Sequence, residues 1–224
     1  MKLAERFRMI ERVAKAPASE TWAAQDIATQ ELVQIFLLKD GNSERVERLL
    51  REAQALSLLR HPNLRHVLGA GLPHEAIPLP FVAIDAVQGT EIARHARLQL
   101  ACVKVEAWLR RMVGLFIQAF RAFATLHGWG IAPVRIREDE IVVSSDGRTV
   151  VATLGLLDES RGTPSENMAQ LGGIFEDVLG ALIRGTPLES VVAALIHPDP
   201  NHRFRSIEEV ARRLEYWLRV TLMA

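Results

Sequence analysis

A single cysteine, Cys102, stands among the 224 residues. That excludes an internal disulfide framework and any zinc site built from cysteines, and it fits a reducing compartment. Cys102 itself reads as a small apolar residue buried in or near a helix. Neither sign of charge is in excess: Lys plus Arg number 27 and Asp plus Glu number 27, so no global field draws nucleic acid or an anionic membrane to the chain. The small basic groups, Arg60 with Arg65 and Arg110 with Arg111, lack interleaved aromatics, and no nucleic-acid partner is expected. Long hydrophobic runs are missing too, since no stretch reaches the roughly 18 uncharged apolar residues of a spanning helix. The N-terminus MKLAERFRMIERVAK carries charges throughout and has no apolar core of a signal peptide. These absences predict a cytoplasmic chain without direct membrane insertion. The closing YWLRVTLMA is apolar enough for a membrane segment to follow it in a longer parent, so the cytosolic domain of a membrane-anchored chain also fits.

What is present is core material. Hydrophobic residues make up 49% of the sequence, enough to bury one large domain or two small lobes. RFRMIERVA, ETWAAQD and LVQIFLL, within residues 5–38, are rich in β-branched and aromatic residues with turn-like breaks between them, and read as three strands. From Asn42 to Leu59 the apolar positions Val46, Leu49, Leu50, Ala53 and Leu56 fall at helical spacing, with Asn42 or Ser43 placed as the cap. RHPNLRHVLGAG ends that helix, and LPFVAIDAV (79–87) reads as a buried strand. Val105, Leu109, Met112, Phe116, Phe120 and Phe123 predict one long helix over 103–127, buried on one face. EIVVSSDGRTVVAT, around Asp146-Gly147, predicts a hairpin over 140–153. Helices follow at about 166–184, 188–197 and 206–222, the last opened by a Ser206/Glu209 capping box. There is no internal repeat and no low-complexity tract.

Seven of these stretches, in this order from Arg6 to Leu218, resemble bacterial Ser/Thr protein kinases of the eukaryotic-like type. RFRMIERVAKAPASETWAAQD is similar to the hairpin that holds the Gly-rich loop, and LVQIFLL to the third strand with its Val-Ala-Ile-Lys. LLREAQALSLLRHPNL is similar to helix C and the His-Pro-Asn turn, and FVAIDAVQGTEI to the fifth strand, the hinge and the start of helix D. HGWGIAPVRIREDEIVVSSDG frames the catalytic loop; LGGIFEDVLGALIRGTP resembles helix F, and HPDPNHRFRSIEEVARRL the final loop and helix. The resemblance implies an α+β, bilobal kinase-like fold, with a small β-rich N-lobe holding one helix at 1–87 and a larger helical C-lobe at 88–224. In that C-lobe the activation segment and helix G are largely missing. About a dozen residues separate Leu154-Gly155 from Asn167, the place of the usual helix F Asp, and no Ala-Pro-Glu follows the Gly-Thr-Pro. Arg203, which normally pairs with that Glu, is left without its family partner.

Each part of phosphoryl transfer has a physical job, and at each place the residue differs. The Gly-rich loop closes bare backbone over phosphates; here Ala14, Ala16 and Ser19 bring Cβ atoms, with Lys15 and Pro17 between. The strand Lys is Phe36. Lys39 lies near, but strand alternation puts Gln34, Phe36 and Leu38 on the cleft face and Lys39 away from it. Glu52 keeps the helix C Glu position and, without that Lys, reads as a solvated residue or one member of a structural ion pair. The catalytic Asp is Arg135, in Pro133-Val134-Arg135, and a guanidinium with a pKa above about 12 is no base. The loop Asn is Glu140, and the metal-binding Asp is Thr153, whose neutral hydroxyl is a poor Mg²⁺ ligand. Glu140, beside Arg135 and Arg137, reads as half of a local ion pair. Asp139 and Asp158 read as surface residues.

The resemblance therefore implies a pseudokinase that binds no metal and no cofactor. In it Val13, Phe36, Ile84 and Leu154 fill the old nucleotide cleft. Its partner, a protein or a second copy, docks on the C-lobe surface that the missing activation segment leaves bare. Two other readings stand beside it. One is a nucleotide or small-ligand sensor, with Glu52 and Lys15 or Lys39 near an open cleft; the other is an atypical transferase with Glu140 and Asp158 as metal ligands. His197, Asp199 and His202 resemble a metal cluster by composition, but a turn with an N-cap explains them better, and His61 has a structural place under helix C. Glu208 and Glu209 belong to a first helical turn.

Overall fold

The computed structural model describes residues 3–39, 42–152 and 161–223. It divides into two compact units, residues 1–60 with 65–86, and residues 61–64 with 87–224.

The first unit is a five-stranded antiparallel sheet with one helix. Strands β1 (Phe7–Lys15), β2 (Ser19–Asp26) and β3 (Leu32–Leu38) form the expected meander; helix α1 (Ser43–Leu58) precedes β4 (Val67–Gly71) and β5 (Phe81–Asp85). The sheet order is β1-β2-β3-β5-β4. Alternation along β3 decides its faces: Val33, Ile35 and Leu37 are buried with Phe7, Ala24, Ile77, Phe81 and Ala83 in one core, while Gln34 and Phe36 stand half-exposed on the other side. Phe7 meets Phe81 edge to face at 6.5 Å, a geometry that the ring quadrupoles favour. Asp26, itself buried, closes β2 by accepting from Arg6 Nε at 2.7 Å and from the Ala28 amide at 3.0 Å. The Asn42 side chain caps α1 at the Arg45 amide, 2.9 Å away, and the buried Leu49, Ala53 and Leu56 give this helix its apolar stripe.

The second unit is mainly helical. A short β6 (Gly89–Glu91) leads into α2 (Ile92–Leu100), α3 (Val105–Gly128), β7 (Ile141–Ser144), β8 (Thr149–Val151), α4 (Pro164–Leu179), α5 (Pro187–Leu195) and α6 (Ile207–Met223). The predicted hairpin is present as β7 and β8; what periodicity did not supply is β6, whose three residues pair with β7 and complete a second sheet, β6-β7-β8. Helix α3 is the centre of this unit. Phe116 and Phe120 pack against Phe175 of α4 with ring centroids 4.5 and 6.0 Å away, and the Trp108 indole donates to the Ala96 carbonyl at 2.8 Å, tying α3 to α2. Gly172 lets α4 lie against α5, because a Cβ there would run into Leu195 and Ile196. Helix α4 opens with a full capping box, Thr163 with Glu166, and Pro164 in the first turn.

The 61–64 turn belongs to this helical unit through its hydrogen bonds. The Asn63 side chain donates to the Thr149 carbonyl at 2.7 Å and to Gln118 Oε1 at 2.9 Å, and the Val151 amide donates back to the Asn63 carbonyl at 2.9 Å. One reading changes: Cys102 is exposed, not buried. It lies in the turn after α2, where Leu98, Leu100 and Val103 are exposed as well. Helical periodicity had ended before it, so no core face was available to it. Among the described residues no helix is long and apolar enough to cross a membrane.

Candidate functional site

The residues singled out in the sequence fall into two groups, one in each unit. In the sheet unit, Phe36 pairs across the ladder with Thr21 of β2 and Val82 of β5, and Gln34 with Ala23 and Ile84. On this face the sequence expected an apolar filling. Ile84 is buried as expected, but Val13 is 56% exposed and fills nothing. The reason is local: β1 is an edge strand, with register shifts between Met9 and Glu11 and again between Arg12 and Ala14, and all but its first residues face solvent. Ala14, Ala16 and Lys15 are exposed there, and Ser19 is half-buried at the start of β2.

The Phe36 face is covered by a residue that sequence reasoning misplaced. Arg65, grouped above with Arg60 as a small basic patch, is 5% exposed. Its guanidinium lies over the Phe36 ring, 5.9 Å from the centroid. Nε donates to the Asp85 carbonyl at 2.9 Å, the second terminal nitrogen reaches the same oxygen, and the first donates to Gln34 Oε1 at 2.8 Å. The Asp85 carboxylate stands 3.7 Å from Arg65 Nε and accepts the His66 amide at 2.8 Å. Burial pulls the Arg65 pKa down to about 10, with Asp85 opposing the shift, and burial raises that of Asp85 despite its amide and Arg65 partners. Arg65 still carries its charge at neutral pH. Lys39 is drawn elsewhere, its ammonium 3.9 Å from Glu20 on β2. Glu52 is half-buried on α1.

In the helical unit the second group is a loop after α3, held from behind by α4. Asn167 is fully buried; its Nδ2 donates to the Pro133 carbonyl at 2.7 Å and its Oδ1 meets His127 Nε2 at 3.0 Å. Gln170, one turn on, accepts the Ile136 amide at 2.9 Å and donates to the Val134 carbonyl at 3.0 Å. The Gly162 amide donates to Ala132, and a Cβ at Gly162 would collide with the Pro133 carbonyl. The backbone of 132–136 is thereby fixed at four points while the side chains of Val134 and Arg135 point out and are exposed.

Glu140 lies beside Arg137: its carboxylate accepts the Arg137 amide at 2.9 Å. The Asp139 hydrogen bonds to the guanidinium, at 2.9 and 2.7 Å, and then the charges of Asp139 and Glu140 raise the Arg137 pKa. The two-residue separation suits a side-chain fork, whereas Glu140 sits one position on in the same 3-10 turn and reaches the backbone. Thr153, Leu154 and Asp158 lie outside the described residues. His197, Asp199 and His202 form a hydrogen-bonded turn: Asp199 accepts the Asn201 amide at 2.9 Å and meets His202 Nδ1 at 3.0 Å. Among the described residues no three His, Cys, Asp or Glu side chains are grouped to hold a metal ion. Arg203, left without its family partner in the sequence, has another here. It bonds to the carbonyl and hydroxyl of Ser165 at 2.9 and 3.1 Å and to the His197 carbonyl at 2.7 Å, pinning the start of α4 to the loop before α6.

Set against solved structures, the chain overlays the PknI kinase domain of Mycobacterium tuberculosis with a TM-score of 0.71, covering 94% of this chain and 96% of that one at 15% sequence identity. A point mutant of the same domain gives 0.71 at 16% identity, covering 94% and 95%. The chain has a protein-kinase-like fold. Its β-sheet unit and helical unit are those of the N-lobe and C-lobe of that fold. Among curated proteins, sperm motility kinase Z of Mus musculus is 24% identical over 139 residues, 62% of this chain. That match spans 26% of the relative's own length. No family model matches the chain.

Proposed function

We propose that this domain is a catalytically inactive pseudokinase that works as a cytoplasmic protein-binding scaffold or regulatory module. The observation that carries the proposal is the Arg65 cover. A kinase needs a cation on the third strand that is free to meet phosphate oxygens, and a neighbouring face open to a nucleotide. Here the position holds Phe36, and the cation beside it, Arg65, is desolvated and bonded to Gln34 and to the Asp85 carbonyl. Removing Arg65 from that face breaks three hydrogen bonds in a buried setting, and hydrogen bonds to charged groups are worth about 1.5–3 kcal/mol each. A nucleotide entering there has to displace them.

The loop after α3 supports the same reading. Its backbone is held by Asn167, Gln170 and Gly162, yet the side chain it presents at the place of the catalytic base is the guanidinium of Arg135, which takes no proton at neutral pH. No cofactor or metal is assigned. The partner is a protein, docked on the helical unit.

The test is phosphoryl transfer. With radiolabelled ATP and either Mg²⁺ or Mn²⁺, the protein is expected to label neither itself nor a generic basic protein substrate above the background of a heat-denatured sample. Metal-dependent labelling that vanishes in Glu140→Gln establishes the transferase reading and removes this one.

A further inference from the structure

A groove in the helical unit, of about 770 Å³, is lined by arginine and aromatic side chains. Its floor is one face of α6 and the residues just before it. Glu209, Arg212, Arg213 and Tyr216 recur at the spacing that aligns side chains on a helix, and Arg205 and Phe204 form the wall. Arg205, Arg212 and Arg213 are exposed, and among the described residues none of the three makes a salt bridge. The one carboxylate in the groove, Glu209, is turned to the backbone, where it accepts the Arg205 amide at 3.1 Å. Three guanidinium groups thus face solvent around a single engaged acid. Phe204, Arg205 and Ser206 also border a second pocket of about 560 Å³ whose exposed surface is mostly apolar; Pro164, Met168 and Ile207 line it, with Glu208 and His127 among its polar walls.

We propose that this paired surface binds an extended segment of another protein, rich in Asp and Glu and carrying one aliphatic or aromatic anchor. The inference rests on the protein-binding reading and names the chemistry of the partner. Arginine forks pair with carboxylates through two parallel hydrogen bonds, and the adjoining apolar pocket takes the anchor, the arrangement in which a buried side chain supplies most of the affinity and the charges supply register and rate. Nucleic acid fits less well. The chain has no net positive charge, Glu209 interrupts the basic wall, and an apolar pocket offers nothing to a phosphate backbone. A second copy is distinguished by the test below; within the acid-rich stretch Glu138–Glu140, Asp139 holds the Arg137 guanidinium and Glu140 the Arg137 amide.

The experiment is fluorescence anisotropy with a labelled peptide of Asp and Glu around a central Leu pair, titrated with the whole chain. The same peptide with Lys replacing the acids, a single-stranded RNA and phosphatidylserine vesicles serve as competing probes. The acidic peptide is expected to bind, more weakly as salt is raised. Arg212→Glu with Arg213→Glu is expected to weaken it at least tenfold, equal to about 1.4 kcal/mol, and Phe204→Ala to weaken it less. Because charge reversal can disturb the helix, Arg212→Gln with Arg213→Gln is measured in parallel, with the thermal midpoint as a check on folding. The proposal is overturned by no binding of the acidic peptide, by equal binding to the Arg variants, by preference for RNA or vesicles, or by a self-association that the Arg variants abolish. Failure in this assay with phosphoryl transfer still silent removes only the groove proposal; transfer activity with peptide binding intact removes only the inactive reading.

Discussion

The β3 face around Phe36 and the loop after α3 are built in opposite ways. The first is covered. A buried arginine lies across the aromatic ring and bonds to Gln34 and to the end of β5, so its polar groups are all directed inward. The second is held through its backbone and leaves its side chains outward. Asn167 and Gln170 hold the backbone of 133–136, while the side chains of Val134 and Arg135 are exposed. The difference teaches that the loop's backbone anchors serve folding on their own account.

The largest effect should come from attacking the anchors. Asn167→Leu leaves the Pro133 carbonyl and the His127 ring without their buried partner, at a cost of about 3 kcal/mol. For a chain of this size that lowers the thermal midpoint by roughly 6–12 °C. Urea melts measure it, and a change under about 1 kcal/mol would mean that the loop is held elsewhere.

Arg65→Ala comes next. It removes three hydrogen bonds and the cation over Phe36, but it also ends the desolvation of a buried charge, so about 2 kcal/mol of destabilisation is expected. Arg65→Lys should not rescue it, because an ammonium cannot bridge Gln34 and the Asp85 carbonyl in the plane of a fork. Full recovery in the Lys variant would show that charge alone matters there.

Acid sensitivity should be smaller and spread over both units. Burial lowers the pKa of His61, His66, His95 and His127 below the ordinary 6.5, Asn167 opposing the shift at His127. Below that value the unfolded chain takes up protons that the folded chain refuses, so stability falls as pH drops from about 6.5 toward each folded pKa and levels off beneath it. Comparing urea midpoints at about pH 7.5 and about pH 5.5 should show this loss, and His127→Gln should reduce it. A midpoint that rises on acidification contradicts the sign.

The smallest effect should be at Arg135. Arg135→Asp restores the acid of the resemblance at an exposed position, and we expect stability within about 0.5 kcal/mol of the parent and no phosphoryl transfer, since the Phe36 face stays filled.

Much of this was legible in the sequence, for physical reasons that can be named. The α3 stripe from Val105 to Phe123, the Asn42 cap and the Asp146-Gly147 turn are local signals, and the elements follow them to within a few residues. Arg65 was not legible. A buried and an exposed arginine are the same letter, and what makes this one buried is the Asp85 carbonyl, 20 residues away. Val13 misled because a β-branched residue in an edge strand reads like one in a central strand, and the register shifts of β1 carry no sequence mark. Arg203 illustrates the limit of family reasoning: it bonds to Ser165, a contact that no alignment of motifs indicates.

The central claim is that the face around Phe36 does not accept a nucleotide. Differential scanning fluorimetry with ATP, ADP and GTP, each with and without Mg²⁺ and Mn²⁺, tests it most directly. The account predicts no shift of the midpoint at millimolar nucleotide in any combination. A shift of several degrees, above all one that requires the metal, contradicts it, because stabilisation of that size needs a site with real affinity in the folded state.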